Sequence, residues 1–348
     1  MTVAITGEKG FLGYHLTQYY KWIKQYEVIS LGRDYLDNIK ILNKCDFLIH
    51  CAGVNRGDKV YEGNVSLASE LVAALEESNI QIDIKFTSST QIHKDNEYGY
   101  SKLEAERILL DYCNRNNTTL NSYYLPNLYG PFGKPNYNSF IATFCYNLNN
   151  NIECKYNTNS VDLCYVYDAI EAIDFDLPFV TDNVTVEDVY LRLKSFQEDY
   201  SQGIVPNLTS RFDLNLFNTF RSYANNLFEF KRHSDDRGHL VELVKGRGSQ
   251  TQVFFSTTKP GITRGDHFHF GKIERFCVLY GKASIKTRKI DSNEVNEYII
   301  SGDDNKVIDM PVLHTHNITN IGNEDLICVF WVNEIYDTNN PDTYYKIV

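Results

Sequence analysis

The segment VAITGEKGFLG, Val3 to Gly13, sets three glycines between an apolar strand-like run and the start of a helix-like run. Nothing else in the chain narrows the fold as much. Glycines at Gly7, Gly10 and Gly13 let the backbone turn tightly and approach a pyrophosphate, whose charge rests on free N–H groups at the helix start. The spacing alone is a weak signal. At the end of a first strand, with Phe11 in the same turn, it points to a dinucleotide site.

Beyond this turn, short apolar runs alternate with longer helical ones as far as LNSYYL, Leu120 to Leu125. Strand and helix in alternation predict a doubly wound parallel sheet with helices on both faces. About twenty residues past the last glycine, an acidic side chain would bind the adenosine ribose hydroxyls. Arg33 stands there, which favours a 2′-phosphate and hence NADPH; Asp34 is next to it, and a shift of one residue would exchange the two roles.

The stretch SSTQIHKDNEYGYSK carries Tyr98 and Lys102 four apart, on one face of a helix that follows a strand end. This suits reduction of a carbonyl, with hydride going to carbon and a proton to oxygen. An ammonium close to Tyr98 favours the ionised phenol and predicts a lowered pKa. Ser89 is the expected holder of the carbonyl oxygen, and Thr90 is the alternative, because sequence does not fix the strand register.

The 34 basic and 45 acidic residues give a net charge of -11, which argues against a nucleic-acid partner. The eight cysteines form no CxxC pair, the chain opens directly on a strand, and no apolar run reaches the length of a membrane helix. These features predict a cytoplasmic protein with free thiols and no membrane partner.

After about Phe230 the runs become short, β-branched or aromatic, and punctuated by Gly, Asn and Asp. The expected organisation is residues 1–230 as a cofactor-binding domain, including helices at YVYDAIEAIDF and LFNTFRSYANNLFEF, and residues 231–348 as an all-β barrel. The barrel sequence holds RGDHFHFGKIE. His267 and His269 alternate onto one side of a strand, Glu274 follows, and HTH supplies His314 and His316. With nine histidines in 348 residues, fewer than one HxH is expected by chance, and two occur. Three imidazoles and a carboxylate, from His267, His269, Glu274 and His316, suit Zn²⁺ first, with Fe²⁺, Ni²⁺ and Mn²⁺ open.

The first 230 residues resemble the extended short-chain dehydrogenase/reductases, of Rossmann type. The resemblance implies that Ala52 and Gly53 of HCAGVNR, together with Asn64, line the cofactor, and that Asn127 of PNLYGP faces the substrate. Members that eliminate water carry an acidic pair after the hydroxyl residue; Thr90 and Gln91 stand there instead, which disfavours a dehydratase.

The spacing G-D-H-x-H-x4-E-x6-G and the later PVLHTH resemble the two motifs of a cupin jelly roll, with Leu313 at a position usually held by glycine. DDRGHLVE and GITRGDH resemble pieces of the deoxysugar 3,5-epimerases, which implies substrate contacts by Arg237 and Arg264. There the counterpart of His267 is a free base. A metal-bound His267 could not serve so, which leaves His314, Tyr280 and Lys272 as candidate bases.

Joined in one chain, these parts are similar to the bifunctional 3-epimerase/4-reductases of capsular and surface polysaccharide synthesis. The resemblance implies a UDP-linked 4-keto-6-deoxy amino sugar as substrate. C3 epimerisation would precede NADPH-dependent reduction at C4, giving a UDP-N-acetyl-6-deoxy-L-hexosamine of talo or rhamno configuration. The alternative is a 4-keto sugar reductase whose barrel is structural or dimerising. An exposed barrel edge predicts a homodimer.

Overall fold

Each early apolar run becomes a strand and each longer run a helix. In the computed structural model, β1 (Thr2–Thr6), β2 (Glu27–Leu31), β3 (Phe47–His50), β4 (Asp83–Ser89) and β5 (Leu120–Leu125) form a parallel sheet in the order β2-β1-β3-β4-β5. Between these strands run α1 (Phe11–Gln18), α2 (Val60–Glu77) and α3 (Glu97–Asn116). Strand order reverses between β1 and β3, so the loops after those two strands border a crevice, the place where such sheets bind ligands. The structure describes residues 1–32, 35–229, 232–235, 238–241, 245–248, 251–334 and 337–348. Arg33, Asp34 and Arg237 lie outside the described residues.

The chain continues through β6 (Asn127–Tyr129), α4 (Phe140–Asn149), β7 (Ser160–Tyr165), α5 (Val166–Phe175), β8 (Asp182–Thr185), α6 (Val186–Tyr200), β9 (Ile204–Val205), α7 (Arg211–Arg221) and β10 (Leu227–Glu229). The run LFNTFRSYANNLFEF is therefore not helical throughout. Its helix stops at Arg221, and Leu227–Glu229 pairs as a strand with Lys306–Ile308, because main-chain partners in a sheet outweigh local helical periodicity there.

Two compact units result. The first holds residues 1–129, 136–139 and 159–185; the second holds 130–135, 140–158 and 186–348, so α6 and α7 pack with the β-rich part. In the first, Ala4, Leu48, Ile84 and Phe86 of the sheet meet Leu71 and Leu75 of α2 and Leu109 of α3 in a closed core. Among the described residues no helix is long and apolar enough to cross a membrane.

The second unit adds the short strands β11 (Arg232–Asp235), β12 (Gly238–Val241) and β13 (Lys245–Gly246), then β14 (Gln252–Thr258), β15 (Thr263–Phe268), β16 (Glu274–Tyr280), β17 (Lys282–Lys289), β18 (Asn296–Ser301), β19 (Lys306–Met310), β20 (His314–Asn320), β21 (Leu326–Val332) and β22 (Tyr344–Tyr345). Strands β10 and β14 to β22 build two antiparallel five-stranded sheets, β10-β19-β16-β21-β14 and β18-β17-β20-β15-β22, while β11 pairs with β12 and β13 with β9. Alternation buries Phe276, Ile308 and Phe330 from one sheet against Ile285 and Ile318 from the other. The chain is thus a doubly wound parallel sheet with helices, followed toward the C-terminus by antiparallel β-sheets, as its sequence texture predicts.

Candidate functional site

The glycines are required by contact as well as by conformation. Gly7 has φ +71°, and a Cβ there would lie 2.8 Å from Cα of Ala52. A Cβ on Gly13 would lie 2.1 Å from the Gly7 carbonyl oxygen, so only glycine lets α1 start against β1. Gly10 closes the turn by donating its N–H to Gly7 O at 2.9 Å. Opposite, Thr6 Oγ1 accepts from the N–H groups of Cys51 and Ala52 at 3.2 Å each, which ties the two loop starts together. A bare-backbone cradle at a helix N-terminus is the shape a dinucleotide pyrophosphate needs. The ring of Phe11, half-buried in the same turn, packs edge-on against the buried His15 at 5.1 Å.

Ser89 is the last residue of β4, and Tyr98 lies in the first turn of α3, whose start is capped by Asn96 Oδ1 on Gly99 N at 2.8 Å. Ser89 is the side chain that draws the Tyr98 pKa down. Thr90, by contrast, directs its hydroxyl to Leu125 O at 3.4 Å, so Ser89 is the hydroxyl that meets the tyrosine. Lys102, 4% exposed, donates to Thr87 O at 2.8 Å, and its Nζ sits 4.8 Å from the Phe86 ring centroid. His50 stacks on the same ring at 5.9 Å.

Burial raises the Tyr98 pKa above the ordinary phenol value, and Ser89 offsets this only in part. The expected lowering by Lys102 is not found. That ammonium is committed to a main-chain carbonyl, and its own pKa is pushed down to about 8 by burial, with Cys51 opposing. At neutral pH, Tyr98 is therefore held protonated, the state a proton donor needs.

Sequence reasoning missed how these parts are joined. Asn64, 3% exposed on α2, donates to Val54 O at 2.9 Å and to Ser101 Oγ at 2.9 Å, while accepting from Val54 N at 2.8 Å. Ser101 in turn donates to Tyr98 O at 2.8 Å. One buried amide thus links the loop holding Ala52 and Gly53 to the helix bearing Tyr98 and Lys102.

In the second unit the structure brings together all four residues of the expected metal set. The ligand atoms of His267, His269, Glu274 and His316 lie within 4.8 Å of one another. His269, Glu274 and His316 are buried, at 2%, 7% and 0% exposure. His269 Nδ1 faces the carbonyl oxygen of Asp342 at 2.5 Å, and His316 Nδ1 faces His314 O at 3.1 Å. A carbonyl cannot donate, so each Nδ1 carries the proton and each Nε2 presents a lone pair.

The lone pair of His269 then faces Glu274 Oε2 at 2.8 Å, while His316 Nε2 is buried without a hydrogen bond, 3.4 Å from the same oxygen. Acceptors converging on acceptors want a cation between them. Donors in a tetrahedral zinc site lie roughly 3.3 Å apart, so the widest separations must close and the His269–Glu274 pair, at 2.8 Å, must open slightly. Burial lowers the His267 pKa to about 4, with His316 and His269 adding to it, and keeps the ring neutral for ligation. Burial alone would raise Glu274; positive charge at the Nε2 atoms of His269 and His316, the place a bound cation would take, outweighs it and holds the carboxyl below its usual range. The donor set fits a divalent metal.

Other sequence candidates fare differently. Asn127 is exposed and donates to Asp162 O at 3.3 Å. Arg264, exposed on β15, is held by Thr258 Oγ1 at 3.0 Å and Thr257 O at 3.1 Å. Among the candidate bases, Lys272 is 5% exposed and bonded to Pro341 O at 2.7 Å, and Tyr280 is half exposed and paired with Glu324. His314 is half-buried, beside Phe132 and next to the cluster in sequence, with Nδ1 on Val312 O at 3.0 Å.

The chain matches the model of the NAD dependent epimerase/dehydratase family over residues 3–189 and that of the Polysaccharide biosynthesis C-terminal domain over 233–344. It is 32% identical to a UDP-2-acetamido-2,6-beta-L-arabino-hexul-4-ose reductase of Pseudomonas aeruginosa, covering 99% of this chain and 98% of that protein. Among solved structures, the capsular polysaccharide assembling protein CapF from Staphylococcus aureus aligns over 100% of both chains, with 34% identity and a TM-score of 0.61. CapF with the inhibitor 3-isopropenyl-tropolone aligns over the same extent, with 32% identity and a TM-score of 0.57. With a family match across more than half the chain and a relative above 30% identity along its whole length, this protein belongs to the NAD-dependent epimerase/dehydratase family and carries a polysaccharide-biosynthesis domain behind it.

Proposed function

We propose that the chain is a bifunctional nucleotide-sugar enzyme that inverts C3 of a UDP-2-acetamido-2,6-dideoxy-4-hexulose and then reduces the C4 ketone. The product is a UDP-N-acetyl-6-deoxy-L-hexosamine, talo or rhamno, for a capsular or surface polysaccharide. The observation that carries the reductive half is Tyr98, its pKa drawn down by Ser89, one helical turn from buried Lys102, in the unit that holds the Gly7–Gly13 cradle. The similarity to the P. aeruginosa hexulose reductase supports the substrate class.

NADPH, when bound, supplies the hydride. Ser89 holds the C4 oxygen and Tyr98 gives it the proton, while Lys102, one turn along the same helix, supplies the buried positive charge of the site. Gly7, Gly10 and Gly13 would hold the pyrophosphate and Arg33 the 2′-phosphate. For inversion, the 4-ketone acidifies C3–H; His314 is the proposed base, the resulting enolate takes a solvent-derived proton on the opposite face of C3, and Arg237 and Arg264 hold the nucleotide sugar. His267, His269, Glu274 and His316 would hold a divalent cation, Zn²⁺ by donor set, which would supply stabilisation of developing negative charge. The tropolone inhibitor of CapF supports this, since a tropolone sets a carbonyl beside a hydroxyl and can grip a cation with both.

We place the enzyme in the cytoplasm as a homodimer, in keeping with eight free cysteines and an exposed apolar edge strand. Mixing protein, NADPH and the 4-keto sugar nucleotide should oxidise NADPH; no oxidation across UDP-linked 4-keto-6-deoxy sugars would end this account. Reduction without epimerisation is a second reading, favoured by the name of the P. aeruginosa relative, a reductase.

A further inference from the structure

The last residues of the chain return to the His/Glu cluster. β22 pairs with β15 at His267↔Tyr345 and Phe268↔Tyr344, and Lys346 N donates to Asp266 O at 2.7 Å. Just before this strand, Asp342 takes φ +41°, a left-handed conformation that Asp adopts more readily than most residues. Its carboxylate accepts three consecutive main-chain N–H groups, from Phe270 at 2.9 Å, Gly271 at 2.9 Å and Lys272 at 2.8 Å. Its own carbonyl oxygen meets His269 Nδ1 at 2.5 Å.

Residues 270–273 are the whole connection between His269 and Glu274. A carboxylate that grips three N–H groups of that connection sets the separation of the two side chains. The same residue's carbonyl makes His269 carry its proton on Nδ1 and keeps Nε2 free toward the cluster. Lys272 Nζ on Pro341 O, at 2.7 Å, is a second tie between the two segments.

We propose that Asp342 is a positioning residue for the metal site, fixing the loop between two ligands, His269 and Glu274, with its side chain and the tautomer of one of them, His269, with its main chain. This rests on the reading of the His/Glu cluster as a metal site. Ligand-orienting partners of this kind typically change metal affinity by about 10–100-fold.

The test is Zn²⁺ affinity of the full-length chain, measured by competition with a chromophoric chelator, beside thermal unfolding of the zinc-free protein. Asp342→Ala should bind Zn²⁺ about 10–100-fold more weakly. Asp342→Asn, which keeps the shape and only one acceptor oxygen, should weaken it less and keeps the test readable if the alanine variant does not fold. Asp337→Asn, an exposed acid in the same segment, should match wild type. If both Asp342 variants unfold at lower temperature yet bind Zn²⁺ as wild type does, the residue is a structural tie and the proposal is overturned. If His267→Ala also binds Zn²⁺ as wild type does, the metal reading itself fails, and this inference with it.

Discussion

Lys102 Nζ lies 2.8 Å from the carbonyl oxygen of Thr87 and 4.8 Å from the centre of the Phe86 ring, in a site 4% exposed. A neutral acceptor and a ring face compensate a buried ammonium only in part, so its pKa falls from 10.5 to about 8. The folded state then binds fewer protons than the unfolded chain between those values. The penalty is fully present below about pH 8 and fades as pH rises toward 10.5. Lys102→Met should abolish reduction and yet stabilise the apoprotein at pH 7, by up to roughly 3 kcal/mol. Urea unfolding at pH 7 and pH 10 should show most of that gain gone at the higher pH.

Ser89 lowers a Tyr98 pKa that burial has raised. Removing the hydroxyl lets the phenol rise further. Ser89→Ala should therefore reduce kcat by about 10²–10⁴-fold and move the alkaline limb of the kcat profile upward, while Tyr98→Phe should lose turnover at every pH. Both variants should keep NADPH binding, read by fluorescence titration.

A methyl on Gly13 would meet the Gly7 carbonyl oxygen at 2.1 Å, and backbone cannot yield as a side chain can. Gly13→Ala should force α1 away from β1, destabilising the unit by about 1–3 kcal/mol and weakening NADPH binding by at least tenfold. Gly246→Ala, where an added Cβ meets nothing within 4 Å, is the matched control and should change neither.

Strand β14 is at a sheet edge and exposes Val253, Phe254 and Phe255 at 60%, 42% and 70%. Such an edge invites a partner. Phe255→Lys should shift a homodimer to monomer in sedimentation velocity; an unchanged dimer would place the interface elsewhere.

Local signals were legible in sequence and distant ones were not. Gly7, Gly10, Gly13, Tyr98 and Lys102 declare themselves because a turn or one helical face sets their spacing. The His/Glu set is legible because its histidines recur at every second residue, and the pairing of β15 with β20 sets His267 opposite His316. Leu313 was suspect as a replacement for glycine, and it sits at φ +55° all the same, fully buried. Its apolar packing offsets a conformation that disfavours a Cβ by about 1–2 kcal/mol.

Asp342 gave no signal, since its partners lie some 70 residues away and are main-chain N–H groups without sequence identity. The texture change near 230 also differs from where packing divides the chain. Arg221 of α7 and Arg275 of β16 both reach Asp309, at 3.7 Å and 3.4 Å, and Tyr200 of α6 donates to it, joining those helices to the β-rich unit through one buried carboxylate.

The most direct test is proton NMR of the UDP-linked 4-keto-6-deoxy amino sugar with the protein in D2O, first without NADPH and then with it. The account predicts that the C3 proton signal disappears before any NADPH is present, and that the C4 alcohol forms only after its addition. A C3 proton that persists until NADPH arrives, and is still present in the C4 alcohol, would contradict it and leave a reductase alone.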